Sequence, residues 1–95
     1  MRVAREKAAV AEVVGGYFLK SGIPRATGRR RVSIALRTSR PGRFPDHSNL
    51  LKALEDGLTA CGAIIDDGDE YLKTGDYYPS RGPQLTIIIL EDLYP

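Results

Sequence analysis

Cysteine and histidine are nearly absent from these 95 residues, with Cys61 and His47 the only ones. One thiol cannot close an internal disulfide or build a cysteine-based zinc site. Cys61 falls on the apolar side of a helical pattern, where a free cysteine serves as a small buried hydrophobe. His47 belongs to a different element, so a thiol–imidazole nucleophile is not expected. Long apolar stretches are missing too. The aliphatic run Ile87–Leu90 is four residues long, whereas a bilayer span needs about 20. No secretory leader pattern is visible, so the expectation is a cytoplasmic chain with no membrane partner. There are no internal repeats and no low-complexity segments. Acidic residues are scarce in one half only. Residues 1–43 hold eleven Lys and Arg against Glu6 and Glu12, a local charge of +9, while residues 44–95 hold three basic residues against ten acids, a local charge of −7. A basic half invites a polyanion such as nucleic acid. Its charge can also be neutralised by the acidic half of the same molecule or of a neighbouring copy.

The length allows a single domain, 1–95. At this size roughly 60% of the unfolded chain's surface is buried on folding, so a partner subunit would add stability. Val3, Val10, Val14 and Tyr17/Phe18, with alanines between them, predict a helix from Val3 to about Lys20. Gly15-Gly16 weakens its last turns by roughly 1 kcal/mol per glycine, unless the pair marks close packing. Gly22 and Pro24 stop it. Arg31–Arg37 alternates as a strand, with Val32, Ile34 and Leu36 on one face and Arg31, Ser33, Ala35 and Arg37 on the other. Ser39–Pro45 is a loop rich in proline, glycine and arginine. Ser48 or Asp46 can cap a second helix over Asn49–Cys61, whose Leu50, Leu54, Leu58 and Cys61 face a core, and Gly62 ends it. Ala63-Ile64-Ile65 reads as a short buried run before the acidic turn Asp66–Glu70. Tyr71–Tyr78 predicts a strand interrupted at Gly75-Asp76, followed by a turn over Pro79–Pro83. Gln84–Glu91 is the strongest strand pattern, and its nearly continuous apolar character predicts burial on both faces. The order helix, strand, helix, strand, strand specifies an α/β or α+β domain, two helices packed on a small mixed sheet.

Chemistry concentrates in the stretch Asp46-His47-Ser48-Asn49-Leu50-Leu51-Lys52 and in Asp66-Asp67. Singly, each residue has an ordinary structural use: Asp and Ser cap helices, Asp-Asp-Gly makes turns, and Lys52 can pair with Asp56 one turn on. Together they set carboxylates and one ammonium about a short helix, the donor set of a magnesium-dependent phosphodiester cutter. A thirteen-residue helix is about 20 Å long, and residues 63–67 extended back beside it recover up to about 16 Å. Asp67 can thus return towards Asp46 and Lys52 in its own chain, or complete the site of a partner subunit.

The run Asp46-x-Ser48-Asn49-Leu50-x-Lys52-Ala53-x-x-Asp56-x-Leu58-x-x-x-Gly62, followed by Asp66-Asp67, resembles the RusA family of Holliday junction resolvases. Those proteins carry an Asp-x-Asp-Asn-x-x-Lys motif, a helix ending in Gly and an Asp-Asp turn at this separation. The likeness is gapless from Asp46 to Asp67 and looser outside it. It implies a RusA-like fold and a structure-specific endodeoxyribonuclease that nicks four-way DNA junctions with magnesium, or manganese in its place, in DNA recombination and repair. It implies branched DNA as partner and a homodimer, because two cuts related by a two-fold axis need two sites. Asp46, Lys52 and Asp67 would be catalytic, with Asp46 and Asp67 holding the metal. Two departures stand out. Ser48 occupies the place of the motif's second carboxylate, and His47 beside it reads as a solvent-facing loop residue. The family's N-terminal strand and its Pro-Pro-Ser-x-Asn turn have no counterpart before the first helix.

Arg29, Arg30, Arg31, Arg37, Arg40 and Arg43 flank the first strand and the loop leading into Asp46, a basic surface suited to DNA phosphates. No aromatic repeat interleaves them, so Tyr17, Tyr71, Tyr77, Tyr78 and Tyr94 read as core or interface residues rather than stacking platforms. The resulting expectation is a RusA-like junction endonuclease, impaired by Ser48. The alternative is a nucleic-acid-binding homodimer of the same descent that has lost the chemistry. A structural domain associating through its opposite charges is a third possibility.

Overall fold

The computed structural model describes residues 13–93. Helix α1 covers 13–21 of these; the earlier part of the expected Val3–Lys20 helix, and Tyr94, lie outside the described residues. Strand β1 (Arg30–Thr38), helix α2 (His47–Cys61), strand β2 (Leu72–Arg81) and strand β3 (Leu85–Asp92) follow. The sheet order is β2-β1-β3, with β2 parallel and β3 antiparallel to the central β1. The fold is thus α+β, two helices with a three-stranded mixed sheet. Parallel β1 and β2 require a crossover, and α2 supplies it.

Alternation in β1 sorts as its sequence predicts: Val32, Ile34 and Leu36 are buried. Val32 and Ile34 meet Val14 and Phe18 of α1, Leu51 and Leu58 of α2, and Ala63, Ile64 and Leu72 in one core. Both helices therefore cover the same face of the sheet. Gly15 lies in contact range of Cys61, since a Cβ added there would sit 3.7 Å from that residue's Cβ. Gly15 thus marks helix–helix packing, whereas a Cβ on Gly16 would meet no other part of the fold within 4 Å. Gly62 ends α2 in a left-handed conformation, φ 86°, and donates its N–H to the Thr59 carbonyl. Only glycine adopts that conformation without steric cost. Ala63 and Ile64 are buried as expected, but Ile65 turns outward at 40% exposure.

Two strand expectations need correction. The interruption at Gly75-Asp76 is a bulge rather than a break. Val32 pairs with Thr74 and Ile34 with Tyr77, so Gly75 and Asp76 together oppose Ser33. The Asp76 N–H donates to Ser33 Oγ at 3.0 Å. Beyond it the strand runs on to Arg81, through the expected turn. An edge strand tolerates Pro79 because its outer side needs no ladder partner. The second correction concerns β3. It is the other edge, and Leu85, Ile87 and Ile89 are 42%, 48% and 43% exposed rather than buried. Their partners in β1, Arg37, Ala35 and Ser33, lie on the face that the core does not use.

Candidate functional site

Asp46 precedes α2 in extended conformation, φ −68° and ψ 136°, and its carbonyl accepts the Leu50 N–H at 3.0 Å. Its carboxylate does not cap the helix. It accepts the Ser48 hydroxyl at 2.9 Å instead, which puts Ser48 against Asp46 where a second carboxylate would strengthen a metal site. His47 is not the solvent-facing loop residue expected from sequence. It opens α2, and its ring stacks on Tyr77 with centroids 5.1 Å apart and planes 15° apart. Its Nε2 is buried without a hydrogen-bond partner among the described residues. Tyr77 donates its hydroxyl to the Pro45 carbonyl at 2.8 Å. Burial, and then the negative charge of Asp46, raise the Tyr77 phenol above its ordinary pKa. The β2 strand thereby fixes the chain's entry into α2.

Lys52 is exposed one turn on, and the electrostatic neighbour that sequence reading missed is Glu55. Its carboxyl pKa is raised, chiefly by burial and then by the charge of Asp67, while Lys52 lowers it and Asp56 adds a smaller upward push. Glu55 therefore feels the charges of both Lys52 and Asp67. Its position three residues after Lys52, on the same helix face, was the available signal. Asp67 comes back towards α2 because the chain reverses after Gly62: the Ile64 N–H donates to the Leu58 carbonyl at 3.2 Å. Asp66 then braces the turn, its Oδ1 accepting the Asp67 N–H at 2.9 Å.

Asp46 lies at the start of α2 and Glu55 well along it. Glu55 is nine residues beyond Asp46, about 13 Å of helix rise. Among the described residues no three His, Cys, Asp or Glu side chains converge as a metal-binding group. Among the described residues the donor set thus lacks the shared carboxylates that a paired-magnesium centre needs to bridge ions about 4 Å apart.

The arginines divide. Arg30, expected on the DNA surface, is 3% exposed and built into the fold. Its Nε donates to Asp92 Oδ1 at 2.7 Å, and its two terminal nitrogens to the Ala63 and Pro24 carbonyls at 3.0 and 2.8 Å. A guanidinium with those partners is not free for phosphate. Arg31 reaches Glu91 at 3.5 Å, and its Nε is buried without a hydrogen-bond partner among the described residues. Arg29 is exposed at the start of β1, eight residues and about 26 Å of strand from Arg37. Arg37, Arg40 and Arg43 are exposed together where β1 passes into the loop before α2. Sequence reading also missed Arg81, which shapes that loop. It donates to the Arg40 and Gly42 carbonyls and lies over the Phe44 ring, 4.1 Å from its centroid. No family model, curated protein or solved structure matches the chain.

Proposed function

We propose that the chain is a RusA-type protein that binds four-way DNA junctions as a homodimer and whose nucleolytic chemistry is impaired. The loop of residues 39–46 carries this reading. Arg37, Arg40 and Arg43 stand exposed around a backbone that Arg81 and Phe44 hold in shape. That loop leads into the Asp46–Lys52 end of α2. Cations on a shaped loop bind phosphates tightly at low salt and with little sequence preference. Two such loops related by a two-fold axis suit a two-fold-symmetric DNA branch. Ser48, standing where a second carboxylate would serve the metal, weighs against a competent metal centre. Gel retardation of a four-way junction beside a linear duplex, over a salt series, tests the reading. The junction should bind more tightly, and Arg40→Ala and Arg43→Ala should each lower the salt slope by about 1. Equal affinity for both DNAs would refute structure-specific recognition.

A second reading, a slow magnesium-dependent endonuclease of the same type, is favoured by the gapless likeness from Asp46 to Asp67. It predicts that Ser48→Asp raises magnesium-dependent nicking of the junction and that Asp67→Asn removes it. No gain from Ser48→Asp in a folded protein would overturn the assignment of Asp46, Lys52 and Asp67 as catalytic.

A further inference from the structure

The two edges of the sheet are treated differently by the sequence. Edge strands expose unpaired backbone groups, and monomeric proteins blunt them with lysine, proline, charges or bulges. β2 has all of these: Lys73, Pro79, Asp76 and the bulge at Gly75-Asp76. β3 has none from Leu85 to Leu90, where the chain reads Leu-Thr-Ile-Ile-Ile-Leu. Along that edge runs an apolar cleft of about 760 Å³, lined among others by Val13 and Tyr17 of α1, Leu54 of α2, and Leu85, Ile87 and Ile88 of β3.

Backbone direction shows what the edge offers. The Leu93 N–H donates to the Arg29 carbonyl at 2.9 Å, so odd-numbered residues at this end of the ladder turn their hydrogen-bonding groups towards β1. In a regular antiparallel ladder the alternation continues, and Thr86, Ile88 and Leu90 direct theirs outward. We propose that this edge pairs antiparallel with β3 of a second copy, about a two-fold axis through Ile88, making one six-stranded sheet. That axis sets Ile88 opposite its own counterpart and Thr86 opposite Leu90, all outward-directed residues. On the open face Ile87 meets Ile89. Leu85 meets Glu91, and in β1 Leu85 is backed by Arg37. Each Glu91 then lies two strand spacings, about 10 Å, from Arg37 of the other copy, within reach of two long side chains, and no like charges face each other across the seam. The inference deepens the junction-binding proposal by assigning its dimer surface.

Sedimentation of the full chain without DNA tests it. A concentration-dependent dimer is expected, and Ile87→Glu, on the exposed face outside the core, should make it monomeric with unchanged circular dichroism. In a Cys61→Ala background, Ile88→Cys should form a covalent dimer on mild oxidation, because facing residues of a hydrogen-bonded pair sit about 5.5 Å apart, inside disulfide range. Tyr78→Cys, on β2, should not. A monomer at all concentrations, or a dimer untouched by Ile87→Glu, would overturn the proposal. The two ideas fail separately: a β3 dimer that ignores DNA removes the junction reading alone, and a dimer untouched by Ile87→Glu that still retards junctions removes this one alone.

Discussion

Replacing Arg30 should cost the fold far more than it costs any interaction with DNA. The guanidinium makes three hydrogen bonds, to Asp92, Ala63 and Pro24. Their losses are unequal. The Asp92 side chain is 47% exposed, so water largely replaces its partner and the ion pair contributes little. The bond to the Ala63 carbonyl is buried, and an acceptor stranded there costs about 1–3 kcal/mol. Loss of the aliphatic stem from a site 3% exposed adds packing loss if the replacement is short. Arg30→Met keeps most of the stem, and about 3 kcal/mol is then expected from the stranded acceptors and the lost charged bonds. In a domain of this size each kcal/mol moves Tm by about 4–8 °C, so the melting point should fall by about 12–24 °C. Arg30→Lys should recover little, because an ammonium cannot replace a fork spanning three acceptors on separate elements. Thermal melts followed by circular dichroism give the stability. Junction binding at low temperature, where the variant stays folded, should retain the parent's salt slope. A drop within the range of ordinary surface changes, below about 0.5 kcal/mol, or a slope reduced by about one unit, would refute the reasoning and return Arg30 to the DNA surface.

Other perturbations act on single features. Gly75→Ala places a Cβ 2.1 Å from Ser33 Oγ and 3.0 Å from the Val32 carbonyl. Chemical denaturation should show about 1–3 kcal/mol lost to overpacking, only partly restored by adding Ser33→Ala, since the backbone contact remains. Glu55 holds its proton more tightly when folded than its ordinary value of 4.5. As pH rises from about that value through the raised folded pKa, the unfolded chain releases this proton first, so Glu55 subtracts stability over that window. Glu55→Gln should remove that decline, seen as a flatter stability–pH profile on the acid side, whereas a profile identical to the parent's would show that folding leaves the Glu55 carboxyl unperturbed.

Much of the fold could be read from local pattern because local pattern caused it. The alternation of β1, the Gly62 stop and the buried Ala63-Ile64 step all appear where expected. β3 failed because an aliphatic run reports apolarity but not how many layers will cover it; both helices pack on one face. Arg30 was misassigned although its parity matched that of Val32, the core-facing phase. Glu55 was overlooked because Asp56 is the conventional i, i+4 partner of Lys52. The stack of His47 on Tyr77 was out of reach of any local argument, since it depends on the phase of a strand thirty positions later.

That phase is set by the extra residue opposite Ser33. Leu72 pairs with Arg30 and Tyr77 with Ile34, both in the inward phase of β1, although five is an odd separation that a regular strand would send to opposite sides. Deleting Gly75 or Asp76 would cut that separation to four, the even count of a regular strand, so the bulge would vanish and the inward phase would be kept. Tyr77 would stay opposite Ile34 and against His47, and the loss would be confined to the bulge, where the Asp76 N–H now donates to Ser33 Oγ. A one-codon deletion there would therefore remove the bulge while leaving the aspartate-bearing corner seated.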